Sequence, residues 1–246
     1  MGENTPQARP LNIPAAEKAH FARNFIQLAV CELRFPTLFE LEADRPPAAL
    51  AKALRREYPN HDLLTNINVN PAGAALAKAH QFSSKSGRWK VTLRTAALSL
   101  ETSHYDSFDD LETRLAHVVK AAAGTIDSDF FTRVGLRYIN AVPYDPSTVG
   151  DWVNPLLVGA LASGAYGDPQ EFSQRTRGLT QIGGYSFQHG IGTSPSGELR
   201  YVLDFDLHQE DVPVADAVSV ARKLHDLEFS MFMWSLGAQG RAHLGS

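Results

Sequence analysis

The sequence predicts an α+β fold, with a mainly antiparallel sheet and helices packed on one face. Three observations predict it. Stretches over 25–35, 88–94 and 198–209 alternate apolar and polar residues at period two, the spacing of strands. Stretches over 107–124 and 213–234 repeat apolar residues at helical spacing. Each half of the chain, over 25–124 and 131–236, runs in the order strand, helix, antiparallel strands, long helix. The halves share this pattern without residue-level identity.

Residues 1–24 are polar and carry three prolines over the first twenty, which predicts a flexible N-terminal arm ahead of a single domain over 25–246. Phe25, Leu28, Val30, Leu33 and Phe35 predict the first strand, and Pro36 stops it. Asp44 before Pro46 and Pro47 predicts a helix start, with Leu50, Ala53, Leu54 and Tyr58 on one face. Residues 61–70 read as a strand or an irregular crossing, and 71–79 as a short helical turn. A meander follows over 80–105, turning at Ser84–Gly87 and again near Thr95–Ala97. Ser107 caps the next helix with Asp110 three residues on; Leu111, Leu115, Val118 and Val119 form its stripe, and Gly124 is its expected stop.

In the second half, Trp152 to Leu161 predict a short helix with Asp151 near its cap, then a Gly164–Gly167 loop. Residues 172–190 read as one long strand or two short ones broken at Gly183-Gly184. Ser194-Pro195-Ser196-Gly197 is a turn, and Leu199, Tyr201, Leu203, Phe205 and Leu207 line one side of the strand after it. Pro213 opens the last helix, with the stripe Ala217, Val220, Leu224, Leu227, Met231 and Trp234.

Between the halves lies Phe131 to Pro143. As a strand it places Val134, Leu136, Tyr138 and Asn140 on one face and Arg133, Gly135, Arg137, Ile139 and Ala141 on the other. Neither face is wholly polar, which predicts an inner strand covered on both sides. Gly135 suggests a bulge or a close approach. The run Phe131-x-Arg133-Val134-Gly135-Leu136-Arg137-Tyr138-Ile139-Asn140 resembles the central signature of a family of uncharacterised, sporadically distributed prokaryotic proteins. Val30 to Phe35 is similar to that family's early segment, and Leu224-His225-Asp226 with Phe229, Phe232 and Trp234 to its end. The resemblance implies no activity and carries over no catalytic residue. It suggests, through the family's patchy distribution, an accessory subunit of a mobile prokaryotic system as one reading. The order of elements also resembles ferredoxin-like folds, which host many functions.

Composition narrows the function classes. Net charge is −4, so nothing global draws the chain to nucleic acid or anionic lipid. Cys31 is the single cysteine; it permits no intramolecular disulfide, and its apolar strand makes it a small buried hydrophobe. No apolar run reaches transmembrane length and no signal pattern opens the chain, so a cytoplasmic protein is expected. Phosphate loops, nucleophile elbows, zinc-protease pairs and dinucleotide fingerprints are absent.

The candidate ligand-binding residues are Arg137, Tyr138, Asn140, Arg175 and Arg177. Arg137 offers a carbonyl- or anion-binding guanidinium with an amide beside it; a structural ion pair is the alternative. Arg175 and Arg177 form one basic stripe, and Arg88, Lys90 and Arg94 another, for a phosphorylated ligand or single-stranded RNA. Pairing with Glu32, Glu101 or Asp204 is the plainer reading. Asp204, Asp206 and His208 share a strand face at a spacing wide for one metal ion, and a solvated face explains them equally. No catalytic residue, metal ligand or cofactor is assigned. The expectation is a non-enzymatic ligand- or partner-binding protein using a groove between the halves, for a small molecule or protein. A homodimer through the apolar end of the last helix is a second partner reading; nucleic acid is not favoured. The alternative is an enzyme acting on RNA or a nucleotide, with His104 or His208 as acid/base.

Overall fold

The computed structural model describes residues 9–17, 19, 21–70, 73–194 and 196–245. The strands are β1 (Ile26–Arg34), β2 (Asn60–Asn70), β3 (Gly73–Ser83), β4 (Trp89–Arg94), β5 (Ala97–Thr102), β6 (Phe130–Pro143), β7 (Ser173–Leu179), β8 (Gly184–Thr193) and β9 (Leu199–Pro213). The helices are α1 (Ala48–Leu54), α2 (Phe108–Ile126), α3 (Val149–Trp152), α4 (Pro155–Ala162), α5 (Ala217–Ser235) and α6 (Ala238–Gly245). The strands form one nine-stranded antiparallel sheet in the order β2-β3-β4-β5-β1-β6-β9-β8-β7, so the fold is α+β. None of the described helices is long and apolar enough to cross a membrane. Two compact units divide the chain, and their boundaries cut across the halves of the sequence. The first unit joins Met1–Phe25, Tyr138–His208 and Asp226–Ser246; the second joins Ile26–Arg137 and Gln209–His225.

In the second unit, β4, β5 and β1 pair in strict register. Leu93 faces Leu98 and Leu98 faces Leu33, while Val91 faces Leu100 and Leu100 faces Cys31. All of these are buried, together with Leu50 and Leu54 of α1 and Leu111, Leu115 and Val118 of α2. Each such side chain contributes about 1.5–3 kcal/mol by leaving water. Cys31 is thus a core residue. The Arg114 guanidinium lies 4.8 Å over the Trp89 ring and fastens α2 to β4. Ser107 caps α2 by accepting the Asp110 N–H at 3.2 Å. Gly124 does not stop this helix. It continues to Ile126 and ends at Asp127, which takes the left-handed conformation at φ 45°.

Residues 60–70 and 73–83 pair as two long antiparallel strands, with Asn60 opposite Ser83 and Leu64 opposite Ala79. The helical turn expected over 71–79 is strand from Gly73 onward; residues 71 and 72 lie outside the described residues. Asp44 does not cap α1. It accepts from Lys78 Nζ at 2.7 Å, and the helix begins after Pro47.

In the first unit, β9 buries Tyr201, Leu203, Phe205 and Leu207 on one face, and Phe205 stacks on Phe187 of β8 at 4.6 Å. The expected single helix over 152–161 is two. Asn154, between them, caps α4 by accepting the Leu156 N–H at 3.0 Å. The expected arm is held over its described part; residues 1–8, 18 and 20 lie outside it. Leu11 N–H bonds the Leu179 carbonyl at 2.7 Å, Ala16 N–H bonds Ser230 Oγ at 3.2 Å, and Phe21 stacks on Phe229. Of the turn Ser194–Gly197, Pro195 is outside the described residues, and Gly197 sits at φ 85°.

The last helix departs from its expected stripe. Buried positions of α5 are Ala217, Val220, Ala221, Leu224, Glu228, Ser230, Met231 and Ser235. Glu228 and Ser235 stand where Leu227 and Trp234 are expected, because steps of three and four from Leu224 reach Glu228, Met231 and Ser235 together.

Candidate functional site

The central strand resolves residue by residue. Phe131, Val134, Leu136, Tyr138, Asn140 and Val142 are buried. Arg137 is exposed on the opposite face, so that face of β6 is not covered at Arg137 as an inner strand predicts. Alternation therefore separates Arg137 from Tyr138 and Asn140; the three do not converge. Asn140 is 2% exposed and donates from Nδ2 to the Leu203 carbonyl at 3.4 Å, a structural amide.

Gly135 marks a close approach by a side chain. A Cβ there would fall on the Arg133 guanidinium, well inside van der Waals contact. The guanidinium lies along the bare strand and reaches Glu32 Oε1 at 3.4 Å. Gly135→Ala is accordingly expected to displace Arg133 and cost about 1 kcal/mol, read by urea unfolding. The Glu32→Gln background, which already lacks this pair, should lose less.

Glu32 is the hub of a polar face. Its Oε1 also accepts from Arg34 Nε at 2.7 Å. Arg34 stands opposite Ala97 on one side, and Arg94 stands opposite Ala97 on the other. Two arginines thus flank one small residue, with Cα positions about 10 Å apart across two strand spacings. Between them opens a hollow of about 470 Å³, walled by Glu32, Ala79 and the Thr95–Ala97 turn. Among the described residues, the Arg94 side chain bonds Ser99 Oγ at 3.5 Å and no other group. Arg34's side chain is 54% exposed. Lys78 also borders the hollow, with its charge satisfied by Asp44, which holds the Asp44 carboxyl below the usual range.

The other sequence candidates fall elsewhere. Lys90 pairs with Glu101 at 3.8 Å across β4 and β5, which is the plainer reading of that stripe. Arg175 and Arg177 are exposed on β7, and Arg175 Nε donates to Gln188 Oε1 at 2.9 Å. His208 lies over Gly184. Among the described residues no three His, Cys, Asp or Glu side chains gather as a metal site. His104 shares a 3.1 Å bond with Ser103 Oγ, and His225 stacks on Phe108 at 4.1 Å.

Three polar clusters carry no sequence signal. His61 Nε2 and His80 Nδ1 lie 3.2 Å apart, where the pairing of β2 with β3 brings them together, and burial lowers the His80 pKa. His189 Nδ1 and the Tyr201 hydroxyl lie 2.7 Å apart; burial lowers the pKa of the first and raises that of the second. Glu228, 1% exposed, accepts the Leu207 N–H on Oε1 at 3.2 Å. Its Oε2 has no hydrogen-bond partner among the described residues. Burial, then the charges of Asp206 and Asp204, pushes its carboxyl well above the usual range. Only the strand register brings Arg34, Ala97 and Arg94 into one row. No protein-family model matches the chain, and no curated protein matches it significantly.

Proposed function

We propose that this protein is a non-enzymatic binding protein whose ligand is a small anion seated between Arg34 and Arg94. The observation that carries the reading is the row of two arginines flanking Ala97, with the hollow of about 470 Å³ beside it. That volume lies in the range of small-molecule sites. Two guanidinium forks suit a phosphate or carboxylate group. Glu32 permits the exchange: when Arg34 turns to the ligand, Arg133 still holds the Glu32 carboxylate.

Binding is favoured over catalysis by what lines the hollow. Among the described residues that line it, the one carboxylate is already shared by two guanidiniums, and none is a histidine, cysteine or tyrosine that could move a proton. None of these described lining residues is an aromatic side chain for a base to stack on, which favours a small anion over RNA.

The test is calorimetry of the full chain at low salt with two probes, inorganic pyrophosphate and succinate. One of them is expected to bind and to weaken as salt rises. The identity of the binder separates phosphate from carboxylate recognition. Arg34→Gln and Arg94→Gln are each expected to weaken binding about tenfold or more, the worth of a charged hydrogen bond. Failure of both probes to bind, or unchanged binding in the double variant, overturns the reading.

A further inference from the structure

The outer edge of the sheet in the first unit carries a separate site. β7 is the terminal strand, and all seven of its residues are exposed. Its hydrogen-bonding phase follows from its two ends. Ile191 N–H bonds the Phe172 carbonyl at 2.8 Å, and Thr180 N–H bonds the Gly183 carbonyl at 2.7 Å. Bonded pairs alternate along an antiparallel ladder, so Gln174, Thr176 and Gly178 turn their backbone groups toward β8. Ser173, Arg175, Arg177 and Leu179 turn theirs outward. Leu179 shows the outward phase directly, because its carbonyl accepts Leu11 N–H at 2.7 Å. Gln181 Nε2 then donates to the Leu11 carbonyl at 3.1 Å, clasping an extended segment against the end of this edge.

We infer that the outer edge of β7 is a docking site for an extended, acidic segment of a partner protein, which adds to the sheet as a further strand. Main-chain bonds to Ser173, Arg175 and Arg177 supply the pairing, as in other strand-addition sites. The side chains supply the sign. Arg175 and Arg177 project from one face of the strand, about 7 Å apart. An incoming strand places its own alternate residues opposite them, and carboxylates there form cross-strand ion pairs. Arg177 has no side-chain bond among the described residues, and Arg175 is held by the neutral Gln188. A second copy of this chain fits poorly. Two β7 strands paired about a two-fold axis set arginines against arginines.

The site is independent of the Arg34–Arg94 hollow, so each can fail without the other. The test titrates a fluorescein-labelled peptide, Thr-Val-Glu-Val-Glu-Val-Thr, with the full chain at low salt and reads anisotropy. Saturable binding is expected. It should weaken about tenfold when lysines replace the peptide's glutamates, and similarly in the double variant Arg175→Ser, Arg177→Ser, whose exposed positions leave the fold intact. Methylating the peptide's backbone nitrogens on its pairing edge should abolish it. In the complex, amide exchange at Arg175 and Arg177 should slow. Absence of saturable binding overturns the inference, as does equal binding of the glutamate, lysine and N-methylated peptides. A dimer of this chain that protects the same amides without peptide assigns the edge to a second copy and also overturns it.

Discussion

Gly190→Ala is expected to destabilise the protein by about 2–4 kcal/mol, the sum of overpacking and a lost backbone hydrogen bond. Gly190 lies on β8 between Ser173 of β7 and Val202 of β9. A Cβ there would fall on the carbonyl group of Phe172 and the Cα of Ser173. Backbone cannot rotate aside as a long side chain can. The segment must move, and its movement breaks the 2.8 Å bond from Ile191 N–H to the Phe172 carbonyl. Urea unfolding measures the loss, and hydrogen exchange locates it: the inward amides of Gln174 and Thr176 should lose protection first. Gly192→Ala is the control. Its Cβ would meet the Val202 side chain instead, so its cost should be smaller. Equal costs for the two variants would contradict the account.

Glu228→Gln is expected to stabilise the protein progressively as pH rises. The buried carboxyl has its pKa raised well above 4.5, first by burial and then by Asp206 and Asp204. A raised folded-state pKa means that folding takes up a proton. The stability tied to that proton is complete below the unfolded pKa and drains away as pH climbs toward the folded one. The slope is about 1.4 kcal/mol per pH unit. Glutamine keeps an acceptor for the Leu207 N–H, at 3.2 Å in the native chain, and removes the titration. The two proteins should match near pH 4 and diverge at about pH 5, 6 and 7, with the variant more stable. Urea midpoints across that range decide it; parallel profiles would show that the carboxyl is not held neutral.

Sequence pattern carries far where the local signal and the packing agree. The alternation in β4 and β9, the Ser107 cap and the turn at Ser84–Gly87 are all legible, because each depends on residues close together in sequence. The pairing of 60–70 with 73–83 is not. Ile67 and Val69 alternate with Asn66, Asn68 and Asn70, but Leu63-Leu64 breaks the parity and the run of Ala74, Ala75, Ala77 and Ala79 reads equally as helix, so the pairing itself defines these strands. Gly124 misleads because helix α2 ends where Asp127 adopts positive φ, not at the first glycine. Glu228 hides in its stripe because a carboxylate at a core position contradicts the polarity rule used to find the stripe. Among site residues, Arg94 is visible as a charge, but its meaning depends on Ala97 and Arg34, which only the register of three strands aligns. Arg137, Tyr138 and Asn140 are near neighbours in sequence, but the alternation already legible there puts Arg137 on the face opposite Tyr138 and Asn140.

The interleaving of the two compact units bears on how the chain is made. The second unit closes only when Gln209–His225 joins Ile26–Arg137, and the first draws on both ends of the chain. Neither unit is therefore a contiguous fragment that can be cut out and expressed. On the ribosome, a nascent chain must extend past residue 225 before either unit has all its parts. A chain truncated before α5 leaves both units unfinished.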